Sequence, residues 1–190
     1  EGLRPLTTDL ADVRRRLLRS EAWDGTENVS SAYGHCLDDF QWPCMSGIFA
    51  EQGNKQSPFA GYYFGRDRIA GAATAMYGET PDPSTVMRQR IATHWRIAPV
   101  IDVSHDGRST LLRTHLFHVS TGIHDPSSGE PNSVGVIMSG MYPNDQVVLE
   151  DGIWRLWTLT IDEPYMRMPN WQGGWAAAEL PPPGGGMRAS

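Results

Sequence analysis

Residues 31–69 read SAYGHCLDDFQWPCMSGIFAEQGNKQSPFAGYYFGRDRI, and this stretch decides the fold. It begins as a helix carrying Tyr33 and, five residues on, Asp38. A second short helix opens at Pro43, whose fixed φ suits a first helical turn. An aromatic strand, Phe59 to Phe64, then runs into Gly65-Arg66-Asp67-Arg68. This order puts a phenol and a carboxylate at the end of a helical layer, where a following sheet can wrap round them.

Toward the N-terminus, Thr7 or Thr8 caps a helix from about Asp9 to Arg19. Its Leu10, Val13, Leu17 and Leu18 are expected to face inward, leaving Arg14, Arg15, Arg16 and Arg19 as a solvated face. The Trp23-Asp24-Gly25 turn ends that helix, and a second runs from about Thr26 to Asp38 with Val29, Ala32, Tyr33, Cys36 and Leu37 as its inner stripe. The third is expected over Cys44–Glu51, with Ile48 and Phe49 buried. A helix of small residues follows over Ile69–Tyr77.

From Met87 onward the period changes to two. Gln89–Ser104 and Arg108–Thr121 are strands joined through Asp106-Gly107, a hairpin signal; Val134–Leu149 and Ile153–Asp162 are joined through Asp151-Gly152. The expected fold class is α+β: helices packed on a strongly curved antiparallel sheet of four meander strands plus one early strand. If Asp106 and Gly107 are the turn, His105 faces Arg108 and the whole register follows. His94, Arg96 and Ala98 then share a face with His115, Phe117 and Val119. The opposite face carries Trp95, Ile97, Leu116 and His118, unless a bulge intervenes.

With 190 residues the chain suits one domain with a sizeable core. The reading divides it into a helical extension (1–25), the main domain (26–175) and a flexible Pro/Gly-rich tail (176–190), with Tyr165–Trp175 as a flap over a pocket or a subunit contact. A net charge of -6 argues against a nucleic-acid partner, which needs basic groups clustered on one face. No apolar run is long enough to span a membrane, so no membrane partner is expected, and no leader is visible; the expected compartment is the cytoplasm. Two cysteines, Cys36 and Cys44, are too few for a disulfide framework and are expected as free thiols.

The ordered series Tyr33-x4-Asp38, Trp42, Phe49-Ala50-Glu51, Gly65-Arg66-Asp67-Arg68-Ile69, Thr93-His94-Trp95 and Asp151-Gly152-Ile153-Trp154-Arg155-Leu156 resembles the SnoaL-like branch of the nuclear transport factor 2-like superfamily. The resemblance covers about Val29 to Trp175. It implies a cone: a bent sheet closed by helices around a deep apolar pocket. In site pattern the chain is similar to scytalone dehydratase and bile-acid 7α-dehydratase, lyases that use a tyrosine and an aspartate before the Trp and a histidine on the first long strand. Tyr33, Asp38 and His94 fall on those positions. The second acid or base of such enzymes would fall near Val119 to Thr121, where this chain has neither His nor Asp.

The chemistry agrees with that set. Elimination without a cofactor needs a base with a pKa near working pH, a partner that orients it and a donor for the leaving oxygen. His94 supplies the first, Asp38 the second, Tyr33 the third, and a histidine base predicts an activity transition near neutrality. Trp42, Tyr62, Tyr63, His115, Phe117 and Met138 are candidates to line the substrate site. Tyr62 and Tyr63 alternate faces, so one of the two can reach the pocket, with core packing the more expected role of either. The expected function is a cofactor-independent lyase acting on a small aromatic or polycyclic alcohol, by dehydration or by retro-aldol loss of formaldehyde, in a homodimer or homotrimer. The alternatives are a binding or scaffold module of the same fold, an isomerase, and a metal site of His94, His115 and Asp38. The last is disfavoured because His115 falls about 13 Å along the sheet from the residue paired with His94.

Overall fold

The computed structural model describes residues 5–58, 61–77, 92–121 and 135–167. Helix α1, Leu10–Asp38, is a single element of 29 residues. Asp9 caps it by accepting from the Ala11 N–H at 3.0 Å, and Asp12 sits in the first turn, where the helix dipole favours an anion. The turn expected at 23–25 does not form. Gly25 serves close approach instead of chain reversal: a Cβ there would lie 2.2 Å from Cδ1 of the Trp154 indole. Gly25→Ala is therefore expected to cost about 1–3 kcal/mol, as overpacking does. Urea unfolding reads this, and an unchanged midpoint would show that the helix and Trp154 are not in contact in solution.

The first half of α1 also departs from expectation. Leu10, Val13, Leu17 and Leu18 do not face a core; they are 82%, 44%, 56% and 43% exposed. This half of the helix meets the sheet near its end, where Leu18 approaches Gly107 of the hairpin and Arg19 donates to the Val103 carbonyl, and the buried residues of α1 start at Ala22. The amphipathic spacing is present, but among the described residues no element covers the stripe enough to bury it.

After α1, Asp39 and Phe40 turn the chain and α2, Trp42–Gly47, folds back on the helix end, with Pro43 in its first turn and Gln41 N–H bonded to the Cys36 carbonyl. This fold-back brings the Cα atoms of Cys36 and Cys44 to 5.6 Å, and the two form a disulfide. The expectation of two free thiols is corrected: eight residues of tight turn make the pair local.

The helix expected over 44–51 stops at Gly47, and β1, Phe49–Ser57, begins. A short apolar run such as Ile48-Phe49-Ala50 suits either element; the free edge of a later strand decides it. β1 pairs antiparallel with β2, Gly61–Phe64, and parallel with β6, Ile153–Thr160. Helix α3, Arg66–Tyr77, follows β2. Arg66 ties its start to the rest, donating to the Phe49 carbonyl at 2.6 Å and pairing with Glu150 at 3.1 Å.

The remaining strands are β3 (Ala92–Val103), β4 (Ser109–Thr121), β5 (Gly135–Glu150) and β7 (Asp162–Arg167). The sheet order is β2-β1-β6-β5-β4-β3, with β7 added on β5. The meander β3-β4-β5-β6 is as expected, but the parallel β1–β6 pair makes the sheet mixed. β5 is long enough to pair with β6 through residues 146–150 and with β7 through 137–141. The segment expected as a flap thus begins as a strand; Met168 to Trp175 lie outside the described residues, as does the tail.

The predicted register holds from Val103↔Thr110 to Val100↔Arg113, then slips by one residue between Val100 and Ile97. Ala98 takes φ 54, and Pro99 has no N–H for the ladder, so one extra residue is accommodated as a bulge on the edge strand. Beyond it His94 faces His118, Arg96 faces Leu116, Trp95 faces Phe117 and Ile97 faces His115. The face assignment is therefore corrected: His118, not His115 or Phe117, shares the face of His94.

The core lies between that face and the helices. It is built from Tyr33, Leu37, Trp42, Met45, Phe49, Ile69, Leu116, Tyr142, Val147, Leu156 and Leu159. Among the described residues no helix is long and apolar enough to cross a membrane.

Candidate active site

Asp38 is the last residue of α1, and His94 is the third of β3. The helix can reach the strand because residue 34 is glycine; a Cβ there would meet the His94 carbonyl oxygen at 2.9 Å. Asp38 then grips His94 twice. One carboxylate oxygen accepts from the His94 backbone N–H at 3.1 Å, and the other lies 2.7 Å from Nδ1 of the ring. A helix C-terminus disfavours an anion, and these two donors offset that cost.

The tautomer follows from the partner. A carboxylate accepts only, so Nδ1 carries the hydrogen and Nε2 keeps its lone pair. Burial pulls the His94 pKa below the usual histidine value; the Asp38 hydrogen bond and charge oppose this, and the charge of Lys55 adds to it. The imidazole is thus neutral at physiological pH. Its side chain is 12% exposed and that of Asp38 20%, so the pair is shielded but reachable.

His118 stands beside it, with ring centroids 4.0 Å apart. Its Nδ1 lies 2.9 Å from the Thr93 carbonyl, which cannot donate, so here too Nδ1–H is the donor and Nε2 the open acceptor. Burial, and next the adjacent His94, push its pKa down to about 4. His118 therefore remains neutral while His94 gains or loses a proton.

Two residues along β3, on the face of His94, Arg96 pairs with Asp145; their side chains are 2% and 0% exposed. Asp145 also accepts from the Thr160 N–H at 2.8 Å. Burial raises the Asp145 carboxyl to about 6, with the guanidinium and that N–H opposing the rise. The Arg96 guanidinium carbon lies over aromatic rings, 4.0 Å from the Tyr142 centroid and 5.6 Å from that of Tyr33. Nζ of Lys55, on β1, is 5.8 Å from the same Tyr33 centroid. Tyr33 itself is fully buried, edge-on to Phe49 and Tyr142.

Of the residues expected at the site, the structure brings Asp38 and His94 into contact and places Tyr33 in the core beneath them, about 140° round the helix from Asp38. Trp42 is buried against Phe40, with centroids 5.8 Å apart. Tyr63 packs on the core while Tyr62 points out, 59% exposed, so the alternation is resolved in favour of Tyr63. His115 is exposed, and Phe117 lies on the other face against Trp95, at 5.7 Å; the bulge carries both away from His94. The backbone of Met138 pairs with His118, and its side chain lies outside the described residues.

Five residues escaped the sequence reading. His118 was hidden by the bulge, which no propensity marks except Pro99. Gly34 looked like a weak helix position rather than a contact. Arg96 and Asp145 lie far apart in sequence and gave no pairwise signal. Lys55 did leave a trace: it is the only lysine in the chain, all other Lys/Arg positions being arginine.

Comparison with solved structures gives the same architecture. A putative scytalone dehydratase from Novosphingobium aromaticivorans DSM 12444 superposes with a TM-score of 0.62 at 18% identity, covering 91% of this chain and 98% of that one. LinA does so with a TM-score of 0.65 at 13% identity, over 89% and 99%. A nuclear transport factor 2-like protein with a cystatin-like fold, from Novosphingobium aromaticivorans, gives 0.58 at 16%, over 90% and 96%. At these identities the likeness is one of fold. A search of curated protein sequences finds no match to the chain. The SnoaL-like domain family matches residues 20–160, which is most of the chain and includes Asp38, His94, His118 and Asp145. The chain belongs to the SnoaL-like domain family.

Proposed function

We propose that the protein is a cofactor-independent lyase that uses His94 as its base on a small aromatic alcohol. The observation that carries this is the 2.7 Å contact of His94 Nδ1 with Asp38, which fixes the ring and leaves Nε2 as proton acceptor within a shielded site. In elimination, Nε2 takes the proton from the carbon next to the carbinol carbon. The C–H electrons form the double bond, the C–O bond breaks, and the leaving oxygen must gain a proton. The imidazolium formed on His94 is an acid able to supply it; Tyr33, enclosed by aromatic rings and two cations, is the second donor in this scheme. In the retro-aldol variant the base takes the hydroxyl proton of a CH₂OH group, formaldehyde departs, and the electrons of the broken C–C bond are left on the neighbouring carbon.

The structural neighbours include a putative scytalone dehydratase and a hexachlorocyclohexane dehydrochlorinase, both named for eliminations. The test is turnover of a panel of aryl-substituted secondary alcohols and arylpropane diols, read by mass spectrometry as loss of water or formaldehyde, before and after exhaustive chelation. Turnover that survives chelation, with an acidic limb below pH 6.5 because burial lowers His94, is the expected result. The near-neutral transition expected of an ordinary histidine is thereby revised downward. Activity abolished by chelation and restored by a metal would overturn the reading.

A further inference from the structure

Asp38 lies inside a covalent ring. The Cys36–Cys44 bridge joins residues eight positions apart, and the ring it closes contains the end of α1, the turn at Asp39 and Phe40, and the start of α2. Cys36 stands in the last turn of α1, two residues before Asp38, and is 6% exposed among core side chains. Cys44 is exposed. The bridge therefore has one sulfur in the core and one that a solute can reach.

The turn inside the ring is held against its own preference. Phe40 takes φ 56, the left-handed region in which helices commonly end on glycine and a bulky side chain is strained. Around it, the Phe40 N–H donates to the Leu37 carbonyl at 3.1 Å and the Gln41 N–H to the Cys36 carbonyl at 2.8 Å. A strained residue persists only where its surroundings over-determine it, and the bridge is the covalent part of that constraint. Asp38 has a demanding position beside this turn. It presents one oxygen to the His94 backbone N–H at 3.1 Å and the other to Nδ1 at 2.7 Å, so a small rotation of the last helical turn breaks one contact or both.

We infer that the bridge is a thiol-operated device on the candidate active site: exchange at the exposed sulfur of Cys44 opens the ring and releases His94 from the tautomer that Asp38 imposes. The reacting class is a small thiol. Its thiolate attacks Sγ of Cys44, the S–S bond breaks, and Cys36 leaves with the electron pair and takes up a proton. A second thiol then displaces the first from Cys44, so one bridge is reduced to two thiols while two small thiols are oxidised to one disulfide. Trp42 and Met45 of α2 are buried in the core independently of the bridge, so α2 stays docked while the turn relaxes. The consequence for turnover rests on the reading of His94 as the base. Loss of the tautomer does not, and it is measured without substrate.

The test is the ¹⁵N-histidine spectrum of the full chain with and without dithiothreitol, the His94 signals being assigned by their loss in His94→Gln. Alkylation and mass spectrometry of the same samples count the thiols, with none expected before reduction and both cysteines free after it. On reduction the Nδ1 and Nε2 resonances of His94 should move toward each other as the second tautomer is populated, in the direction set by Asp38→Asn, and should return on reoxidation. Cys44→Ser should show the reduced pattern and ignore dithiothreitol. Should that variant not fold, the reversible change in the parent decides. Turnover should fall roughly 10-fold or more on reduction, since a misplacement of about 1 Å can cost 10²-fold. Free thiols before reduction, a bridge that dithiothreitol opens only in urea, or His94 resonances that ignore its opening overturn the inference. A tautomer released while turnover stays unchanged supports the device and removes His94 as the base.

Discussion

Replacing His94 by Ala or Gln should lower turnover by roughly 10²–10⁴-fold, the usual contribution of a positioned general base. Asp38→Asn should come close to the same loss for a different reason. An amide in place of the carboxylate can turn its NH₂ toward Nδ1, which then becomes an acceptor; the proton moves to Nε2, and the lone pair that does the work is gone. The two variants differ in pH profile. His94→Gln should lose the acidic limb altogether, while Asp38→Asn should keep a limb moved to still lower pH, since both the hydrogen bond and the charge of Asp38 hold the histidine pKa up. Folding should survive in His94→Gln because the side chain is partly solvated and its loss opens little core. A variant that unfolds, yet retains normal specific activity in its folded fraction, would mean that His94 is structural.

The largest stability effect is expected at Asp145. Asp145→Ala leaves the Arg96 guanidinium buried without its carboxylate, and removing one partner of a buried pair costs about 3–5 kcal/mol. The pair is enclosed on all sides, so water cannot replace the lost oxygen atoms. A double replacement, Arg96→Met with Asp145→Leu, should recover most of the loss, because two apolar side chains restore packing without desolvating charge. Urea unfolding of the three variants measures both statements. An Asp145→Ala protein as stable as its parent would show that the guanidinium finds another anion or reaches solvent.

How much of this was legible depends on which interactions are local. Tyr33, Asp38 and His94 could be picked out because helix period, hairpin signal and an ordered series of motifs all placed them without knowledge of packing. The Asp106-Gly107 turn fixed the register correctly for the half of β3 next to it. What could not be read were contacts made by residues absent from the local pattern. Gly25 looked like a helix stop because nothing near it in sequence announces Trp154, over a hundred residues away. The stripe of Leu10, Val13 and Leu17 looked inward because periodicity tells which residues share a face, not whether another element covers that face. Phe49 and Ala50 looked helical because the strand that claims them, β6, comes a hundred residues later.

The irregularity at Ala98-Pro99 acts as a phase shifter in a device with only two phases. Upstream and downstream of it the strand obeys opposite parity rules, so the chemistry of the interior depends on a count of residues as well as on their identity. Pairing all of β3 in the register of its hairpin end, with both residues kept and no bulge, would turn His94 and Arg96 toward solvent and Trp95 and Ile97 inward; deleting either of the two would instead give a regular ladder with His94 still opposite His118. Any register counted from the hairpin without the bulge will exchange His118 for His115 and misname the neighbours of His94. The bulge that absorbs one residue between the hairpin and His94 is thus as much a property of the site as the histidine itself.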